Sequence, residues 1–321
     1  MRQENVDHNG RSEDVGREDI DDTANENADD RSSLHLADFA EPSPETCEPT
    51  LAHIARPAPD RNEVRRSSLR TRRTVASIAI EHLTKRYPTG TVALDDVTLD
   101  VADGEFVAVV GPSGCGKSTM LRILAGLDGA TNGRVTIAGA EARPDELPSA
   151  TVFQEASLFP WMRVAQNVAF AFDSLAVPPD DVRRRVRDVL ALVGLSEYER
   201  AWPHQLSGGM KQRAAVARAF VTDPPVLFMD EPFGALDEQT RVGLANELMR
   251  LWERSPKTIV FVTHSIEEAV TLADRVVVLS ARPGRVKEII PIAFARPRDA
   301  VSIRGEPTFG EHVVHIWSLL R

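Results

Sequence analysis

From Ile78 the chain alternates. Ile78-Ala-Ile-Glu-His-Leu-Thr-Lys-Arg-Tyr87 sets apolar against polar residues with the period of a half-buried strand, so order is expected from about Ala76. Pro88-Thr-Gly90 reads as a turn, Val97-Thr-Leu-Asp-Val101 as a second strand, and Asp103-Gly104 as the turn before a continuous apolar run, Phe106-Val-Ala-Val-Val110. Helical spacing then runs from Ser118 to Leu127, with Gly126 and Gly129 as its terminators, and Arg134-Val-Thr-Ile-Ala138 is another strand. Thr151-Val-Phe153 is strand-like. Between about 155 and 222 the spacing is helical only, over Val164–Phe172, over Asp180–Val193 with Gly194 as a C-terminal cap, and from Leu206-Ser-Gly-Gly-Met210 through Ala219. Strand and helix alternate again afterwards. Val226-Leu-Phe-Met229, Thr258-Ile-Val-Phe-Val262 and Val276–Leu279 are the strands, and Arg241–Trp252 and Ile266–Ala273 the helices. This predicts an α/β core with crossover connections and an inserted helical block. Residues 285–321 carry the weakest pattern, with a short amphipathic helix over His312–Leu320.

Composition changes the picture mainly at the beginning. The chain has 321 residues, 42% of them hydrophobic, enough for a sizeable core, and a net charge of −10 that is unevenly spread. Residues 1–60 are acidic without apolar periodicity, and 61–73 are basic, so 1–75 reads as a disordered, solvated arm. Its arginine cluster is read as a linker, with contact to anionic lipid or nucleic acid as the other possibility. The acidic start argues against a secretory or organellar leader. No apolar run approaches the roughly 18 residues of a membrane span. Cys47 and Cys115 make no disulfide framework, which points to a reducing, cytoplasmic setting.

The chemistry centres on Gly111-Pro-Ser-Gly-Cys-Gly-Lys-Ser-Thr119, a G-x-x-x-x-G-K-[ST] loop between a strand and a helix. Its glycines let backbone N–H groups curl around a phosphate, Lys117 can reach the β- and γ-phosphates, and the Ser118 hydroxyl can serve Mg²⁺. Cys115, near a helix N-terminus, is expected to have a depressed pKa and to react with a maleimide, with MgATP protecting it. Asp230 and Glu231 end the apolar strand from Val226, where parallel sheets place their ligands. Asp230 can hold Mg²⁺ through its water shell, and Glu231 can orient or deprotonate a water. His264 ends the next strand and can reach a γ-phosphate, though a lone histidine is as readily structural. Gln154, at another strand end, can sense Mg²⁺ and water or be an exposed loop residue. Tyr87 can stack on an adenine or simply pack on its sheet. Ser207, Gly208 and Gly209 precede a helix and form a second anion-binding geometry, unless Ser207 is only an N-cap. One nucleotide does not need two such loops from one chain, so a head-to-tail dimer is expected, each nucleotide lying between two subunits.

Taken together, these motifs resemble the ATP-binding subunit of ABC transporters, over about residues 76–290. Residues 111–119 are similar to its Walker A loop, Gln154 to the Q-loop, 206–210 to the signature, and 226–231 to Walker B. Gly234-Ala-Leu-Asp237 is similar to the D-loop, His264 to the switch histidine and Tyr87 to the adenine-stacking aromatic. The sequence departs in carrying Met210 where the signature usually has glutamine, and Gly234 where the D-loop more often has serine. The resemblance implies a P-loop NTPase (ABC ATPase) fold of the α/β class: a mixed or parallel sheet, an N-terminal antiparallel β part and an inserted α-helical subdomain at about 155–222. Residues 291–321 would be a C-terminal extension. It implies ATP and Mg²⁺ as cofactors. Nucleotide would be bound by Tyr87, by Gly111, Pro112, Ser113, Gly114, Cys115, Gly116, Lys117, Ser118 and Thr119, and by Ser207, Gly208, Gly209 and Asp237. Ser118, Gln154 and Asp230 would serve the metal, and Glu231, His264 and Gln154 catalysis.

Within the family, Leu158-Phe-Pro-Trp161, Gly209-Met210 and Ala281-Arg-Pro-Gly-Arg285 are similar to the nitrate/sulfonate/taurine importer group. The implied partners are a second copy of this chain, two membrane-spanning permease subunits and, indirectly, a periplasmic or lipid-anchored solute-binding protein, without nucleic acid. The chain would then sit peripherally on the cytoplasmic face of the plasma membrane. Leu158, Phe159 and Trp161 suit either a permease contact or packing within the helical block. A soluble ABC ATPase acting on ribosomes or DNA is the alternative; such proteins usually carry two cassettes or a long coiled coil, and neither is visible here.

Overall fold

The computed structural model describes residues 76–141, 149–234 and 236–321. The arm expected over 1–75 lies outside them. Strands Ala76–Arg86 (β1) and Val92–Ala102 (β2) pair antiparallel across the Pro88–Gly90 turn, where the Tyr87 N–H donates to the Thr91 carbonyl at 2.9 Å. The second strand starts five residues before the expected Val97. Asp95 and Asp96 break the alternation there, and Asp96 takes φ 55°. Asn132–Ile137 (β4) pairs with β1 on its other side and carries the two-residue Ala140–Glu141 (β5), completing a four-stranded antiparallel sheet.

Apolar runs with no polar face must be covered on both sides, which is the condition of a parallel strand inside an α/β sheet. Phe106–Val110 (β3), Val226–Asp230 (β7) and Thr258–Val262 (β8) are buried at every position. With Ser149–Val152 (β6) and Arg275–Leu279 (β9) they form a parallel array. Val286–Pro291 (β10), which the sequence pattern does not predict, adds antiparallel to β9, giving the order β10-β9-β3-β8-β7-β6. The pleat divides β3 between two cores. Phe106, Ala108 and Val110 face one made with the helical block, and Val107 and Val109 face another shared with the antiparallel sheet.

Helix Lys117–Leu124 (α1) fills the second core with Met120, Leu121 and Leu124. Gly126 ends it at φ 71°, with the Leu127 N–H donating to the Arg122 carbonyl at 2.8 Å. Gly129 lies beyond that cap and gives its carbonyl to Lys85 Nζ at 2.6 Å instead. Val164–Ala169 (α2), Pro179–Leu192 (α3) and Gly208–Phe220 (α4) make up the helical block, and no strand falls among the described residues between 153 and 225. Gly194 caps α3 at φ 67° by the same device. Helices Glu238–Arg254 (α5) and Ile266–Leu272 (α6) follow β7 and β8. The last helix, Pro307–Leu320 (α7), starts five residues before the expected His312 and buries Phe309 and Ile316 in the first core. Among the described residues no helix is long and apolar enough to cross a membrane.

Candidate functional site

The loop after β3 owes its shape to positions where a side chain has no room. Gly114 and Gly116 take φ 73° and 103°, and a Cβ on Gly116 would lie 2.6 Å from the Ala93 carbonyl oxygen and 2.8 Å from Leu94 Cδ2. Lys117 is buried and folds back along the loop, its Nζ donating to the Gly111 carbonyl at 2.8 Å and the Pro112 carbonyl at 3.2 Å. Ser113, Gly114, Gly116, Lys117, Ser118 and Thr119 line a cavity of about 460 Å³ together with Tyr87 and Glu231. Gly111, Pro112 and Cys115, expected to bind nucleotide, do not line it.

Cys115 reverses the expectation drawn from its place near a helix start. Its side chain is buried under the loop, where a Cβ on Gly111 would lie 2.6 Å from the sulfur. Burial pushes the thiol pKa up, against the opposing pull of Lys117. The thiol pKa is therefore raised rather than depressed, and the buried sulfur is not open to ready maleimide modification.

Two carboxylates meet the loop from the end of β7. Ser118 Oγ donates to Asp230 Oδ1 at 3.0 Å, and burial, reinforced by the charge of Glu231, pushes the Asp230 pKa up despite that bond. Magnesium is ordinarily held by one or two protein oxygens, several waters and substrate phosphates, so this hydroxyl–carboxylate pair fits it. Glu231 adopts φ 44°, a region costly for a residue with a side chain, and is fixed there by its N–H to the Val262 carbonyl at 2.8 Å. Its Oε2 lies 3.1 Å from His264 Nδ1. Backbone strain and the β7–β8 register thus aim Glu231 at the end of β8.

His264 is tied further. The preceding Thr263 donates to the buried Glu268 at 2.5 Å, and Glu268 faces Arg241, whose Nη2 donates to the Leu236 carbonyl at 2.9 Å. Burial raises the Glu268 pKa, with Thr263 and Arg241 opposing it. The chain of contacts links the loop carrying His264 to the segment before Asp237. Asp237 itself is an N-cap, accepting from the Thr240 N–H at 3.0 Å and its hydroxyl at 2.7 Å. Those bonds lower its pKa.

Ser207 is likewise an N-cap, its Oγ accepting from the Met210 N–H at 3.3 Å. Gly209 presses on Thr240, where any Cβ would collide with Cγ2. The serine-glycine turn thus meets Thr240, which Asp237 caps, and Ser207, Gly208, Gly209 and Asp237 do not line the cavity around Lys117. Gln154, exposed just beyond β6, does not line it either.

Tyr87 is positioned from three sides. Its hydroxyl lies 3.2 Å from Thr119 Oγ1 and 3.5 Å from Asp128 Oδ2, and Lys85 Nζ lies 5.1 Å from its ring centre. The hydrogen bond from Lys85 holds the Asp128 pKa down. Thr89, Thr91, Ala93 and Arg282 also line the cavity, and the sequence reading did not single them out. The Pro88–Gly90 turn signals that the two threonines lie near Tyr87; Arg282 falls in the Ala281–Arg285 stretch similar to the importer group, but nothing in that stretch places it beside the glycine-rich loop.

The loop at 158–162 is held by Asn167. This buried side chain accepts from the Phe159 N–H at 2.7 Å and donates to the Phe159 and Met162 carbonyls at 3.1 and 2.9 Å. Leu158 packs on the core, whereas Trp161 stands 68% exposed and, like the half-exposed Phe170, packs against Phe159.

The ABC transporter family model matches residues 94–234. An uncharacterised ABC transporter ATP-binding protein of Methanocaldococcus jannaschii is 47% identical over 234 residues, which cover 72% of this chain and 88% of the relative. An aliphatic sulfonates import ATP-binding protein of Bacillus licheniformis is 45% identical over 212 residues, covering 66% and 82%. Among solved structures, an ATP-binding cassette in a dimeric, post-hydrolysis state with ADP and Pi bound is 32% identical at a TM-score of 0.60, covering 68% of this chain and all of that one.

Proposed function

The chain belongs to the ABC transporter family as an ATP-hydrolysing, ATP-binding subunit, and we propose that it energises a bacterial importer of a small anionic or organic solute of the nitrate, sulfonate or taurine type. The catalytic part is carried by one observation: Lys117, the Ser118–Asp230 pair and the Glu231–His264 pair converge at the carboxyl ends of β3, β7 and β8. The solute class rests on the similarity to a sulfonate-import subunit.

In this reading the glycine-rich loop wraps the phosphates and Tyr87 carries the adenine. Lys117 leaves its loop carbonyls for the β- and γ-phosphates. Ser118 and Asp230 would hold Mg²⁺, which when bound would supply charge neutralisation on the phosphate oxygens. Glu231, steered by His264, orients and deprotonates the attacking water, and His264 supports the γ-phosphate. Ser207, Gly208 and Gly209 lie outside the cavity of their own chain. They are assigned to the nucleotide of a second copy, with Asp237 at the same junction, so that ATP closes a head-to-tail homodimer and hydrolysis reopens it. Gln154 would serve the same metal. The dimer works on the cytoplasmic face of the plasma membrane, and exposed Trp161 with Phe159 receives a helix of the permease.

The test is affinity purification of the tagged chain from detergent-solubilised native membranes, followed by mass spectrometry. A co-purifying polytopic permease, with a solute-binding protein encoded nearby, is expected. Ribosomal or DNA-repair partners without a membrane protein would overturn the importer reading and leave the ATPase standing.

A further inference from the structure

We propose that Arg282, in the turn between β9 and β10, is a nucleotide-binding residue whose guanidinium contacts the α- and β-phosphates alongside the glycine-rich loop. The proposal rests on the reading of the 460 Å³ cavity as the ATP site.

Three independent features point there. The first is position. Arg282 lines the same cavity as Lys117 and Ser118, and its Nε donates to the Gly114 carbonyl at 3.2 Å across 168 residues of sequence. Gly114 lies mid-loop, in the stretch whose amides cradle the α- and β-phosphates. A guanidinium has five donors in a planar fork, so the one on Gly114 anchors it while the others stay available to phosphate oxygens.

The second is construction. The turn that presents Arg282 is clamped against the loop and β2. Gly284 is buried so closely that a Cβ would collide with the Cys115 carbonyl; its N–H donates to the Ala93 carbonyl at 2.9 Å, and its carbonyl accepts from the Asp95 N–H at 3.0 Å. Ser280 Oγ donates to the Pro283 carbonyl at 2.7 Å and accepts from the Arg285 N–H at 2.9 Å.

The third is charge. The neighbouring Arg285 is ion-paired with Asp95, whereas Arg282 has no carboxylate partner among the described residues. Of the residues lining the cavity, Lys117 and Arg282 are cations and Glu231 is the one carboxylate. An excess of positive charge on a cavity wall, unpaired by any carboxylate among the described residues at Arg282, suits a polyphosphate.

The experiment titrates the full-length chain with fluorescent ADP and ATP analogues in the presence of Mg²⁺, at low and at physiological salt. Arg282→Gln is expected to weaken both nucleotides by about tenfold, the loss of one charge-assisted hydrogen bond, and to flatten the salt dependence. Arg282→Lys, which restores the charge, recovers much of the loss at low salt, and the melting temperature without nucleotide is unchanged in both variants. Unchanged affinity in Arg282→Gln overturns the contact. So does a loss that tracks a lowered melting temperature without rescue by lysine. Unchanged affinity with impaired ATP-driven dimerisation would move Arg282 to a protein contact across the dimer and equally overturn it. Wild type binding no better than Lys117→Ala would sink the reading of the cavity itself, a separate failure.

Discussion

At the scale of single residues, the site is built from side chains whose other options have been closed. Glu231 illustrates this: a positive φ, a backbone bond to Val262 and the Nδ1 of His264 leave its carboxylate one direction. Glu231→Gln keeps the shape and removes the base, so ATP affinity should stay within a factor of about two while turnover falls by about 100-fold or more. ATP-bound dimers should accumulate in size-exclusion chromatography. Undiminished hydrolysis would take Glu231 out of that role. The residues legible in the sequence were those whose chemistry is spelled by neighbours: the Gly111–Thr119 run, the Asp230–Glu231 pair and His264 after its strand. Arg282 was not legible as a site residue, because the cavity wall is assembled from segments far apart in the chain. Cys115 was misread for a related reason. Sequence places it at a helix start but cannot say that its side chain turns inward, where burial outweighs Lys117.

At the scale of elements, strands with a single apolar character and glycine-capped helices were the easiest to read. β3, β7 and β8 are buried on both faces, and Gly126 and Gly194 end their helices as a positive φ requires. The missed elements are amphipathic or interrupted. Val286-Lys-Glu-Ile-Ile-Pro291 forms the edge strand β10, and Asp95–Asp96 conceals the first half of β2. Contacts between elements were invisible to periodicity, and the meeting of α4 with α5 is one of them. Gly209 touches Cγ2 of Thr240, whose hydroxyl is bound to Asp237. Gly209→Ala should therefore cost about 1–3 kcal/mol in urea unfolding, the range for overpacking. Thr240→Ser removes only the methyl and keeps the bond to Asp237. The double variant should regain most of that loss, and a simple sum of two costs would show that the clash lies elsewhere.

At the scale of the whole molecule, the six-stranded sheet separates two cores but belongs to both. The C-terminal helix extends the first core, with Ile316 fully buried although it lies far along the chain from the glycine-rich loop. Ile316→Ala should destabilise the folded chain by about 2–4 kcal/mol. One cooperative transition, shifted as a unit in calorimetry, is expected; a separate early transition of α7 would mean that the helix is only an appendage.

The division of β3 between the two cores also governs time. A strand covered on both faces has no route to solvent through local fraying, so its amides can exchange with deuterium only when the sheet as a whole opens. The glycine-rich loop is rooted in that strand. Its apex can rearrange around each nucleotide on the fast clock of a surface loop, while its base keeps the slow clock of global unfolding. In the proposed cycle, the opening and closing of a subunit interface would thereby turn on a pivot that does not itself wear through repeated local melting.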